Sequence, residues 1–173
     1  ANQVELNTIT YSAAVSACEK VGDWATALGL LTEMAASHVE LNTITYNAAV
    51  SSCGKVGEWA LALGLLADMA ACHVNLDTIT CNASVSSCGN AGEWAQALGL
   101  LAEMTVGRVE LDTITYGAAI NSCAKVGKYD MALGLLAEMT SSRVELNTIT
   151  YNAAVSACEK GGGLTPHGIG ALG

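Results

Sequence analysis

Residues 43–77 read TITYNAAVSSCGKVGEWALALGLLADMAACHVNLD, and nearly the same 35 letters recur on both sides of them. Thr8, Thr43, Thr78, Thr113 and Thr148 open the copies, each followed by Ile and Thr, so the register never slips. Four full units result, 8–42, 43–77, 78–112 and 113–147, with 1–7 as the tail of a preceding unit and 148–160 as the first helix of a partial fifth. A unit of this length cannot bury its apolar face alone, so neighbours are expected to stack around one continuous core.

Within residues 43–77, Tyr46, Ala49, Val50 and Cys53 follow the i, i+3, i+4, i+7 spacing of one buried helical stripe. Gly57 follows them, suiting a left-handed C-terminal position, and Glu58 beyond it favours the start of the next helix through the dipole. Trp59, Ala62, Leu63, Leu66 and Met69 or Ala70 repeat the spacing, which predicts a second helix packed antiparallel on the first. Gly64 inside it costs about 1 kcal/mol against Ala. Because Gly29, Gly64, Gly99 and Gly134 share that place, close helix approach is expected there. The predicted fold is all-α: a right-handed α-solenoid of stacked antiparallel helix pairs, nine helices with no strand.

The ends depart from the pattern. Residues 1–7, ANQVELN, match the end of a unit, so the chain is expected to be part of a longer array. After Lys160, GGGLTPHGIGALG replaces the second helix with glycine and the one proline, so 161–173 is expected to be an irregular Gly-rich tail.

Composition narrows the functional classes. Only 13% of residues are charged, against about 25% in typical chains, so the surface is poor in charge. The net charge of −9 argues against non-specific attraction to nucleic acid or an anionic membrane. Thr, Asn, Ser and Glu break every stretch before it reaches the roughly 18 apolar residues of a membrane span, which favours a soluble protein.

Of the seven cysteines, Cys18, Cys53, Cys88, Cys123 and Cys158 occupy one repeat position, too far apart in a stack for disulfides, and read as small buried hydrophobes. Cys72 and Cys81 are irregular, and no C-x-x-C pair suggests zinc or redox chemistry, so a reducing compartment fits best. His38, His73, Arg108 and Arg143 share a turn position; two histidines one repeat apart are a weak metal signal against the simpler reading of exposed turn residues. The acidic column Glu33, Asp68, Glu103 and Glu138 reads as solvation of an outer face. No nucleophile, acid–base pair, P-loop or deaminase signature is present, and neither cofactor nor metal is expected.

A 35-residue helix pair carrying T-Y-N, then K-x-G, then A-L, then M before a turn resembles the pentatricopeptide repeat family, over residues 1–163. The match recurs in register, TITYNAAVSSCGKVGEWALALGLLADM being followed by TITCNASVSSCGNAGEWAQALGLLAEM. Tetratricopeptide repeats have a period of 34 and a W-x-x-L-G-x-x-Y order that residues 24–31 do not reproduce. The chain departs from the family at Leu41, Leu76, Leu111 and Leu146, where proline is usual, and at the bulky Trp24, Trp59 and Trp94.

The resemblance implies single-stranded RNA binding, one base per repeat, by the residue after Tyr and the last residue of the unit. Here these are Ser12 with Asn42, Asn47 with Asp77, Asn82 with Asp112, Gly117 with Asn147, and Asn152 alone. Family pairing rules give these an A-U-U-A core. Ile9, Ile44, Ile79, Ile114 and Ile149 match the residues that pack on base faces, the alternative being that they seal junctions between repeats. Lys20, Lys55, Lys125 and Lys160 match a phosphate-contacting position, the alternative being compensation of the helix dipole. Asn and Asp at the unit ends are equally good helix N-caps.

Two functions follow from the resemblance. One is a non-catalytic RNA-binding module of an organelle, plastid or mitochondrion. The other is a protein scaffold, a structural subunit of a large photosynthetic, respiratory or ribosomal assembly, which low surface charge and many exposed alanines also suit.

Overall fold

A computed structural model of the chain describes residues 7–162. The described residues form nine helices and no strand: α1 (Thr8–Val21), α2 (Trp24–Ala36), α3 (Thr43–Val56), α4 (Trp59–Ala71), α5 (Thr78–Ala91), α6 (Trp94–Val106), α7 (Thr113–Lys125), α8 (Tyr129–Ser141) and α9 (Thr148–Gly161). This is an all-α solenoid of stacked helix pairs. Residues 1–6 and 163–173, and with them most of the expected repeat tail and Gly-rich tail, lie outside the described residues; Gly161 itself is the last residue of α9.

Each start and stop has a local cause. Asn42 is extended and accepts the Thr45 N–H on its side chain, while the Thr45 hydroxyl accepts the Asn42 N–H, a reciprocal capping box. Asp112 with Thr115 and Asn147 with Thr150 repeat it. Gly57, at φ 78°, ends α3 in the left-handed region that glycine reaches without steric cost, as expected from the sequence. Glu58 then occupies the N-cap of α4 without a side-chain cap bond, which leaves the dipole as its contribution.

The turn that closes each second helix is where the sequence places it, but its left-handed backbone was not foreseen. His38, His73, Arg108 and Arg143 all have φ between 54° and 58°. His73 N donates to the Ala70 carbonyl and Val74 N to the Met69 carbonyl, the six-to-one closure of a Schellman motif with a non-glycine residue at its left-handed position. These side chains are exposed, and among the described residues no group of three or more His, Cys, Asp or Glu could hold a metal ion.

The chain divides into two compact units, residues 1–87 and 88–173, the boundary falling inside α5. In the first, α1 packs on α2 and α3, α3 packs on α4, and α2 packs on α3. Its core gathers Tyr11, Val15 and Met34 with Tyr46, Val50, Cys53, Leu65 and Met69. In the second, α7 packs on α6, α8 and α9, and α8 packs on α9, around Tyr116, Ile120 and Met139.

The first-helix stripe is as predicted, with Tyr46, Ala49, Val50 and Cys53 all buried. The second-helix stripe is corrected. Ala62, Leu65 and Met69 are the buried residues of α4, whereas Trp59, Leu63 and Leu66 are half-buried and Ala70 is exposed. Spacings of three and four from Ala62 to Leu65 to Met69 define this face, and Leu63 stands one residue, about 100°, round the helix from Ala62.

The expected close approach at Gly29, Gly64, Gly99 and Gly134 is also corrected, because a Cβ there meets nothing within 4 Å. Helices approach instead at Gly54, where a Cβ would lie 3.0 Å from the Ala83 carbonyl oxygen, and at Gly89, where it would lie 2.7 Å from that of Ala118. Cys53, Cys88 and Cys123 are buried thiols as expected, but Cys18 and Cys158 are only half-buried. The acidic column is more than solvation, since the buried Tyr116 donates its phenol to Glu138 Oε1 at 3.0 Å.

Candidate nucleic-acid interface

The first turn of each first helix sorts its side chains by angle. Thr45, at the third helical position, folds back onto the cap and is buried, while Ile44, about 100° earlier, points to solvent. The same holds down the column: Ile9, Ile44, Ile79, Ile114 and Ile149 are between 63% and 78% exposed. Residues sealing a junction would be covered, so that alternative fails for these five.

Asn47 lies three residues after Ile44, on the same helical face. Its amide nitrogen donates to both carboxylate oxygens of Asp77, at 3.3 and 3.1 Å, so the two candidate reading residues of this repeat touch. Asp77 also caps α5, accepting the Thr80 N–H at 2.8 Å and its hydroxyl at 2.7 Å. Burial works to raise the Asp77 pKa, but the donors of Thr80, Asn47 and Ile79 outweigh it and hold the carboxyl below its usual range. Capping α5 and holding Asn47 thus fall to one carboxylate, whose roughly four lone-pair sites these donors occupy.

The other pairs differ. Ser12 donates its hydroxyl to the Thr8 carbonyl at 2.6 Å, and Asn42 caps α3. Asn82 is half-buried on α5, while Asp112 caps α7 through the Thr115 N–H at 2.9 Å. Gly117 offers no side chain, and a Cβ there would lie 3.6 Å from the Thr150 methyl; Asn147 caps α9. Asn152 is exposed on α9.

Lys20, Lys55, Lys125 and Lys160 are all exposed. Two of them reach back to the preceding first helix: Lys55 Nζ donates to the Glu19 carbonyl at 2.5 Å and Lys125 Nζ to that of Asn90. Ser51 adds a bond from its hydroxyl to Glu19 Oε1 at 2.8 Å. Dipole compensation is thus visible in the geometry, with the ammonium groups still at the surface.

Sequence reasoning missed the threonine at the third position of each unit as a neighbour of the candidate pair. Thr80 contacts both Asn47 and Asp77. Its recurrence as Thr45, Thr115 and Thr150 was the available signal, read only as a register mark.

Three family models match the chain: PPR repeat family over residues 112–160, pentatricopeptide repeat domain over 1–56 and PPR repeat over 44–74. No curated protein matches it. Among solved structures it is similar to the pentatricopeptide repeat protein PPR10 from maize, at 28% identity and TM-score 0.73 over 90% of this chain and 22% of that one. PPR10 in complex with an 18-nt psaJ RNA element gives 24% identity and TM-score 0.82 over 99% of this chain and 25% of that one. The PPR domain of Arabidopsis thaliana protein-only RNase P 1, in complex with tRNA, gives 19% and 0.74 over 85% and 78%. The chain spans about a quarter of the length of PPR10. With three models of one repeat matching between them well over half of its residues, and with helix pairs in the same register, the chain belongs to the pentatricopeptide repeat family.

Proposed function

We propose that the chain is a non-catalytic module that binds single-stranded RNA, one base per repeat, in organellar RNA metabolism. The observation that carries this reading is the column of five solvent-facing isoleucines set beside polar residues at the unit ends. An exposed apolar side chain at every repeat suits packing on base faces, and Asn47 with Asp77 offers donors and acceptors at the same edge. Similar repeat proteins have been solved bound to an RNA element and to tRNA. The organellar setting comes from the family resemblance.

On this reading Ser12 with Asn42 selects adenine, Asn47 with Asp77 and Asn82 with Asp112 select uracil, and Gly117 with Asn147 selects adenine. At about 1 to 2 kcal/mol per base, four units supply roughly 4 to 8 kcal/mol, a dissociation constant between about millimolar and micromolar. The test is titration with 5′-AUUA-3′ RNA and permuted oligomers. The variant Asn47→Ser with Asp77→Asn is expected to move the second base from uracil to adenine, and unchanged preference removes the assignment.

A scaffold reading is favoured by one observation, the net charge of −9 on a surface with few charged groups. A longer array that ignores RNA while holding a stable protein complex would establish it.

A further inference from the structure

The Asp77 carboxylate only accepts hydrogen bonds, and both its oxygens lie within 3.3 Å of the Asn47 amide. The atom that Asn47 turns towards it must therefore be the NH2 group. That choice rotates the Asn47 carbonyl oxygen towards Thr80, whose hydroxyl contacts it and also lies 2.7 Å from Asp77 Oδ1. Thr80 has one hydroxyl hydrogen for these two acceptors; donated to Asn47 Oδ1 it holds the second end of the amide, while Asp77 Oδ1 keeps the Thr80 N–H. It is fully buried at the first turn of α5, fixed by its N–H on Asp77. Asn47 and Asp77 are half-buried and open to solvent on their other sides.

An asparagine held only by one carboxylate keeps the freedom to swing about its side-chain torsions. Held at both ends, it offers an incoming base one fixed order of donor and acceptor. Ser12, engaged with the carbonyl of Thr8 on its own helix, and Gly117, with no side chain, have no such arrangement.

We infer that Thr80 is a positioning residue: its hydroxyl sets the donor and acceptor pattern that Asn47 and Asp77 present, so the base of the second repeat is selected with help from the first helix of the third. This rests on Asn47 and Asp77 being the base-contacting pair. The consequence is that neighbouring repeats do not read independently. A reading pair transplanted without the threonine that follows it loses selectivity.

The experiment uses the whole chain with Thr80→Val, which keeps the shape and the Asp77 cap bond but removes the hydroxyl, and Thr80→Ser, which restores it. Each is titrated with 5′-AUUA-3′ and with oligomers changed at the first or second base. In Thr80→Val the preference for uracil at the second base is expected to fall about tenfold, the scale of one hydrogen bond. Preference at the first base should stay unchanged, and Thr80→Ser should recover the second. A purely structural role would weaken all oligomers alike. Side-chain amide NMR of the free protein supplies a readout without RNA: the Asn47 NH2 should be as ordered as the α3 backbone, and lose that order in Thr80→Val only. Selectivity that survives Thr80→Val, an equal fall at both bases, or a mobile Asn47 amide in the unaltered chain overturns the positioning role alone. Failure of the unaltered chain to bind any oligomer overturns RNA reading itself and this role with it.

Discussion

The ammonium of Lys55 donates to the main-chain carbonyl of Glu19, tying the first helix of one repeat, α3, to the last turn of the first helix of the repeat before it, α1. A cation at a helix C-terminus contributes about 0.3 to 1 kcal/mol at low ionic strength and is screened by salt. Lys55→Met is therefore expected to lower stability by that amount in dilute buffer and by less in high salt, measured by urea denaturation. If the same lysine also meets a phosphate, the salt slope of RNA binding falls by about 0.7 in the variant. An unchanged slope assigns Lys55 to the helix end alone.

Two glycines of the second repeat should respond to the same substitution with opposite signs. Gly64 faces open space on an exposed helix, so Gly64→Ala is expected to stabilise the fold by about 0.5 to 1 kcal/mol through backbone entropy. Gly54 is buried, and an added Cβ meets the Ala83 carbonyl oxygen at 3.0 Å. Main chain must then shift, and Gly54→Ala is expected to destabilise by about 1 to 3 kcal/mol despite the better helix propensity. Denaturation midpoints of both variants decide this, and equal signs would contradict the packing described.

These contrasts mark what could be read from the sequence. The recurrence of Tyr46, Ala49, Val50 and Cys53 at helical spacing was enough to place the first helix and its buried face, because each position is either large and apolar or small. In the second helix, leucines at 61, 63, 65 and 66 surround Ala62, so hydrophobicity marks too broad a face to choose Leu65 over Leu63. Recurrence also misled at Gly64, since an exposed position under no packing demand can repeat as faithfully as a crowded one. The candidate site was legible as columns of residue types. The bond between Asn47 and Asp77, 30 residues apart, needed the stacking geometry.

Leu65 supplies the direct check on the corrected core. Truncating a buried leucine leaves a cavity and costs about 2 to 5 kcal/mol. Leu65→Ala is expected to fall in that range, and Leu63→Ala, from a half-buried site, well below it. Chemical denaturation of the two single variants is sufficient. The reverse order would restore Leu63 to the core.

Alkaline pH should unfold the chain through its buried acids. Burial first, with smaller pushes from Glu58 and Glu93 respectively, raises the Cys53 and Cys88 thiols to about 11, against an ordinary 9.0. Burial likewise raises the Tyr46 phenol to about 12 from 10.0, helped by Cys72 and Asp68. In each case the folded chain holds its proton at a pH where the unfolded chain has released it. The unfolded state then binds fewer protons, and stability declines as pH rises. It should be level with respect to these groups below pH 9.0, fall as the unfolded thiols ionise, fall fastest between pH 10.0 and about 11 as the unfolded phenol joins them, and fall more gently from there to about 12, where only the phenol still differs. Tyr46→Phe removes the phenol and is expected to make the decline shallower only above about pH 10. Urea denaturation at one-unit steps from pH 7 to 11, under reducing conditions, measures both curves. Parallel curves for Tyr46→Phe and the unaltered chain above pH 10 would mean that the Tyr46 hydroxyl reaches solvent in the folded protein.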